Sequence, residues 1–311
     1  MRFTSSHSDQ LTTSHTGKEL IVNPANPELQ APTRTEAIRD GIQFQFLQDA
    51  LNQALDGDTI RLIDSTTEDV VFPAYLQKIW LVIDNCTLNG SISTPIINGM
   101  DRGIIQGRGN ATITGSISVL GASQFSLIEG LNLQGNGFRS ERIHRCKIVG
   151  YDLSVTSGNG VLPTLLFCEL TNDNTLFRQY GSSGLSFQNC IINTRNFSPR
   201  IGGISSIGGS FRFKNTTVLC TQNGLAWRGT ANLYFENSTF KCDGVDYYLF
   251  GDAGGTANIY AENSKLITAG AELYQAPTNY THINLQRNKE VGASAVEVYS
   301  NQDQLRTNIV I

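Results

Sequence analysis

Charge is scarce in this chain. Only 16% of its 311 residues are Asp, Glu, Lys or Arg, against about 25% in ordinary soluble domains. The 23 Lys and Arg are outweighed by 27 Asp and Glu, for a net charge of −4 at pH 7. That balance leaves no basic footprint for nucleic acid or an anionic membrane surface. Long apolar runs are missing as well: none approaches the roughly 20 residues that span a bilayer, so no membrane insertion is expected. The opening Met1-Arg2-Phe3-Thr4-Ser5-Ser6-His7-Ser8 has no hydrophobic core of the kind that marks a secretion signal. No Cys-x-x-Cys pair occurs and the four His are scattered, which argues against a zinc site. Neither a metal nor a cofactor is expected.

Uncharged polar residues take the place of charge, with 30 Gly, 26 Asn and much Ser and Thr. That mixture suits turns and stacked strands better than surface helices, which draw on Glu, Lys and Ala. A repeat organises it. Segments of the form apolar-x-apolar-x-Asn-small-x-apolar recur, among them Leu81-Val82-Ile83-Asp84-Asn85-Cys86-Thr87-Leu88 and Phe211-Arg212-Phe213-Lys214-Asn215-Thr216-Thr217-Val218. With the small residue as marker, 146, 168 and 190 lie 22 apart, as do 216 and 238, while 190 to 216 and 238 to 264 are 26. A 44-residue step from 86 to 130 spans two units, and a short step from 130 to 146 breaks the rhythm.

Period-two alternation makes each unit strand rather than helix. One unit of about 22 residues cannot bury its apolar face alone, but stacked units form one continuous core. Three short strands at about 3.3 Å per residue use up that length in one turn. The expected fold is all-β: a single-stranded right-handed parallel β-helix with about 22 residues per coil and an N-terminal capping α-helix, right-handed because parallel crossovers are.

Two columns support the stacking. Asn85, Asn189, Asn215, Asn237 and Asn263 share one repeat position, where amides can bond along the axis and where Asn tolerates a left-handed corner. Asn85, Asn215 and Asn237 also head Asn-x-Thr sequons, but the ladder accounts for the whole column. Cys86, Cys146, Cys168 and Cys190 fill the next position, and Cys220 and Cys242 lie 22 apart in another register. Cysteines placed this way pack as small hydrophobes, so all six are expected to be reduced and unpaired, which favours assembly in a reducing cytoplasm.

The ends differ from the repeat. Residues 1–40 are polar and read as an extended arm. Over residues 41–59, Ile42, Phe46, Leu47, Ala50, Leu51, Ala54 and Leu55 mark one helical face, stopped by Asp56-Gly57-Asp58. This helix is the natural cap for an open solenoid end. The β-helix is placed at 60–285. Residues 286–311, with the apolar strand Asn308-Ile309-Val310-Ile311, read as a closing or oligomerisation segment.

The run from Phe46 through Asp56-Gly57-Asp58-Thr59-Ile60-Arg61-Leu62, followed by Ile104-Ile105-Gln106-Gly107-Arg108-Gly109-Asn110, resembles the start of pectate-lyase-like right-handed β-helices. The resemblance covers about residues 42–285 and bears on fold; fold alone does not set chemistry. The superfamily includes lyases, hydrolases, phage tailspikes and inert spikes. With the polar arm and reduced cysteines, the character is closest to phage tailspike and virion spike proteins. That implies a virion-associated spike, decoration or receptor-binding protein of a bacteriophage: a homotrimer assembled in the host cytoplasm, joined to other virion proteins through the N-terminal arm and binding a host-surface polysaccharide or another virion protein. The alternative is a polysaccharide-degrading enzyme, a lyase or glycoside hydrolase.

For an enzyme, Tyr151-Asp152, Asp173-Asn174 and Arg195-Asn196 fall at equivalent places on three successive coils. Asp152 and Asp173 are then the candidate carboxylate pair and Arg195 the binder of an anionic sugar. No third acidic residue stands in that row, and no lyase-type Arg motif is present. Trp227, Asp246 and Tyr247 form a candidate ligand-binding patch, with aromatics beside a carboxylate.

Overall fold

A computed structural model describes residues 17–26, 32–94, 103–119, 125–135, 137–150, 154–156, 163–172, 178–179, 184–194, 200–201, 210–221, 225–242, 248–268, 272–275, 283–287 and 297–299. Its strands gather into three sheets of thirteen, ten and seven strands, and every pairing is parallel. Successive strands of one sheet belong to successive coils, so the chain winds as a right-handed β-solenoid with about 22 residues per turn.

Alternation is what drives the winding. Ile60, Leu81, Ile105, Ile128, Ile143, Leu165, Phe187, Phe213 and Phe235 are paired in register down the first sheet, and all are buried. Leu88, Ile113, Leu133, Ile148, Leu170, Ile192, Val218 and Phe240 do the same in the second. Toward the later coils the inward column of the first sheet changes from aliphatic to aromatic. The Phe187 and Phe213 rings stack at 5.2 Å, and Phe213 and Phe235 at 5.0 Å. Each such side chain contributes about 1.5–3 kcal/mol by leaving water.

The small-residue column does more than fill space. The thiols of Cys86, Cys168 and Cys190 donate to the carbonyls of Leu62, Ile143 and Leu165 on the preceding coil, at 3.3, 3.4 and 3.4 Å. Further on, hydroxyls take over: Thr216 Oγ1 donates to Phe187 O at 3.2 Å and Ser238 Oγ to Phe213 O at 3.0 Å. Cys, Thr and Ser thus share one task, a short donor that ties each coil to the one before. Cys86, Cys146, Cys168, Cys190 and Cys220 are buried thiols outside any disulfide. Cys242 ends the strand Thr239–Cys242, and its side chain lies outside the described residues.

From Ile79–Asp84 to Tyr248–Glu262, the corner after each first-sheet strand is left-handed. Asn85, Asn189, Asn215, Asn237 and Asn263 all have φ between 47° and 54°, and Asn215 Nδ2 donates to Asn189 Oδ1 at 3.2 Å. The short step also has its explanation here. Ile128 pairs with Ile143, only 15 residues on, yet that coil keeps a strand in all three sheets: Leu127–Glu129, Asn132–Leu133 and Gly137–Arg139. Its connections are trimmed, not its strands. Gly130 holds the left-handed corner (φ 69°), while Leu131 takes the inward slot, so the coil marker is residue 131 rather than 130.

Within residues 1–40, expected to be an extended arm, the described stretches 17–26 and 32–40 carry a strand and a helix. Glu19–Val22 is the first strand of the thirteen-stranded sheet, paired with Thr59–Leu62. Helix α1, Arg34–Asp40, carries a full capping box between Thr33 and Glu36. Helix α2 is shorter than its apolar spacing suggests, running only Leu47–Gln53. Leu47, Ala50, Leu51 and Ala54 are buried, but Ile42, Phe46 and Leu55 lie beyond its ends and are exposed. Phe46 cannot cap the helix, and Glu68 does so instead, its carboxylate accepting from the backbone N–H of Leu47 and Gln48 at 2.9 and 3.2 Å. The helix packs against Glu19–Val22, Thr59–Leu62 and Val70–Val71, which places it at the open end. Asp58 ties these pieces together, accepting from Lys18 N, Leu55 N and the Arg34 guanidinium at 2.7–2.9 Å. Among the described residues no helix is long and apolar enough to cross a membrane.

Candidate functional site

Asp152, Asp173, Arg195, Asp246 and Tyr247 lie outside the described residues. Trp227 falls in the strand Leu225–Glu236, where it pairs with Asp252 of Tyr248–Glu262; its side chain too is outside them. The strands that precede Asp152, Asp173 and Arg195 in sequence, Lys147–Val149, Glu169–Asn172 and Ile191–Thr194, are consecutive in the second sheet.

The described residues bring together a different group, on the outer face of the first sheet where it turns into the second. Gln106, Glu129, His144, Leu166 and Gln188 occupy one outward row on five successive coils. His144 Nδ1 lies 3.0 Å from Glu129 Oε1, both side chains being about four-fifths buried. The His144 hydrogen bond, helped by the nearby Arg145 charge and a hydrogen bond from Gln106, holds the Glu129 carboxyl below its ordinary value despite its burial. The carboxylate is therefore an anchored acceptor.

The corner beside this pair breaks the Asn column. Arg145 and Phe167 stand where other coils have Asn or Gly, and both adopt the left-handed conformation, with φ 52° and 53°. Neither side chain can bond locally as Asn does, so each costs roughly 1–2 kcal/mol. Phe167 nevertheless points outward, 51% exposed, its ring centroid 5.9 Å from that of His144. Arg142, Arg145 and Lys147, all on the coil that bears His144, are exposed as well.

No family model, curated protein or solved structure matches this chain.

An exposed aromatic ring, a fixed carboxylate–imidazole pair, a side-chain amide and three cations can bind a polar ligand that has a flat apolar face. Sequence reasoning passed over this group because it sought carboxylate pairs. The signal was present: in an alignment of the repeats, residues 145 and 167 are where the column holds neither Asn nor Gly. Further along the same face Arg212 lies over the Tyr234 ring at 5.2 Å, and Lys214 pairs with Glu236 at 2.7 Å.

Proposed function

We propose that the chain is a virion-associated β-helical spike of the tailspike type, a homotrimer that presents a long side face to a host-surface glycan. The observation that supports this reading is the long all-parallel stack of the first sheet, bound coil to coil by ring stacking and by thiol and hydroxyl donors. A rod so cross-tied keeps outward groups at fixed spacing along its length, which suits recognition of a repeating polymer. Attachment to other virion proteins falls to the residues before Glu19, since Glu19–Val22 and α1 already belong to the solenoid end.

The test is to label the purified chain and measure its retention on surface polysaccharide extracted from bacteria, with light scattering in parallel. Retention, with a mass about three times the 34.0 kDa of one chain, is the expected result. A monomer retained by no polysaccharide would overturn the reading. Removing residues 1–16 is expected to abolish particle attachment and leave the oligomer intact.

The near-22-residue spacing of Asp152, Asp173 and Arg195 in the sequence supports a second reading, in which the bound polysaccharide is also cut. New reducing or unsaturated ends after incubation would establish cleavage. The double change Asp152→Asn, Asp173→Asn is expected to abolish it without loss of binding.

A further inference from the structure

We propose that the corner formed by Glu129, His144, Arg145 and Phe167 is a binding subsite for an anionic saccharide, one bearing carboxylate or sulfate groups. The inference rests on the glycan-binding reading above and gives it a location and a charge class. It begins from the backbone. Among the described residues, five of the seven non-glycine residues with positive φ are Asn, the residue type that accepts this conformation at least cost. The other two, Arg145 and Phe167, occupy adjacent coils and lie beside the Glu129–His144 pair. Strain that a single Asn would relieve, kept at two neighbouring corners, points to a use for the side chains themselves.

Each side chain has a task in such a site. The exposed Phe167 ring offers a flat face with negative potential to the polarised C–H groups on one side of a pyranose ring. Glu129, held ionised by His144 and Gln106, accepts from sugar hydroxyls. Arg145 supplies a planar pair of donors matched to a carboxylate or sulfate. Arg142, Arg145 and Lys147 are all exposed within six residues of one coil, against Glu141 on the same coil and Glu129 and Glu169 on its neighbours, with Lys147 directly opposite Glu169. Three cations thus meet three carboxylates in a chain of net charge −4, and the contact with an anion falls to Arg145, the cation at the corner itself.

The experiment uses the full chain and a panel of immobilised uronic-acid-bearing, sulfated and neutral oligosaccharides. The wild type is expected to bind an anionic member at least tenfold more tightly than its neutral counterpart. Phe167→Asn should weaken that binding tenfold or more, and Arg145→Asn should reduce it to the neutral level. Both variants should melt at or above the wild-type temperature, because each restores the residue the corner prefers. Phe167→Tyr keeps the ring and should keep the binding. If both Asn variants bind as the wild type does, this subsite is wrong and glycan recognition by another face stands. If Phe167→Tyr loses binding as Phe167→Asn does, the ring is not the platform and the subsite is likewise overturned. If the wild type binds no member of the panel, both readings fall.

Discussion

At the corner after each first-sheet strand from Ile79–Asp84 to Tyr248–Glu262, one residue holds a positive φ of 47–69°, and the cost depends on what that residue is. Asn bears it with little strain and can reach its counterpart on the next coil, as Asn215 does with Asn189. Asn215→Ala should therefore lower stability by about 1–2 kcal/mol, read as a drop in the midpoint of denaturant unfolding. Asp58 presents a different balance at the same scale. Burial opposes its ionisation, but the Arg34 hydrogen bonds and the N–H groups of Leu55 and Lys18 outweigh that, so its carboxyl sits below the ordinary value. A depressed carboxyl contributes stability that is complete above the unfolded pKa of about 3.9 and fades as pH falls through the lower native value. Asp58→Asn should cost about 3 kcal/mol at pH 7 by leaving Arg34 without its partner. Between about pH 5 and 2 its stability should fall less steeply than that of the wild type. Equal slopes in acid urea titrations would show that Asp58 is not the group responsible.

Among the elements, the aromatic part of the inward column concentrates the packing. Phe213 stacks on Phe187 and Phe235 and meets the edge of Phe240. Phe213→Ala should cost about 3–5 kcal/mol because rings above and below cannot close the gap, as thermal unfolding would report. The strands that carry these rings were readable in the sequence because two constraints repeat together: an apolar alternation and an Asn-small pair at fixed spacing. Where only one constraint acts, the reading slipped. Ile42, Phe46 and Leu55 fit helical spacing but lie outside α2, since a 3.6-residue period says nothing of where the last hydrogen bond falls. Glu19–Val22 carries four residues of strand pattern, 40 residues from its partner, too short and too far from the 22-residue rhythm to be seen. Glu129 and His144 were hidden for another reason: neighbours across parallel strands, 15 residues apart, follow a spacing found in no other coil.

For the whole molecule, the stacking makes every described thiol inaccessible. Burial pushes the Cys86 thiol up to about 11 and that of Cys146 up to about 12, and a thiol so poorly ionised is a poor nucleophile. Alkylation of the native protein should spare Cys86, Cys146, Cys168, Cys190 and Cys220. After denaturation without reductant, mass spectrometry should find all six cysteines labelled, and fewer would reveal a disulfide. The 15-residue coil sets a lower bound for the repeat: three strands and their corners close with seven residues fewer than the usual 22. Connections can thus shorten or lengthen without disturbing the coils on either side. The same arrangement decides how the rod meets force. Backbone hydrogen bonds between coils run along the axis, so a pull on the two ends strains one interface at a time and peels the solenoid turn by turn. Each ordinary coil then releases about 75 Å of chain and the trimmed one about 50 Å, so a stretched molecule would carry its own ruler, with one short graduation marking the coil beside His144.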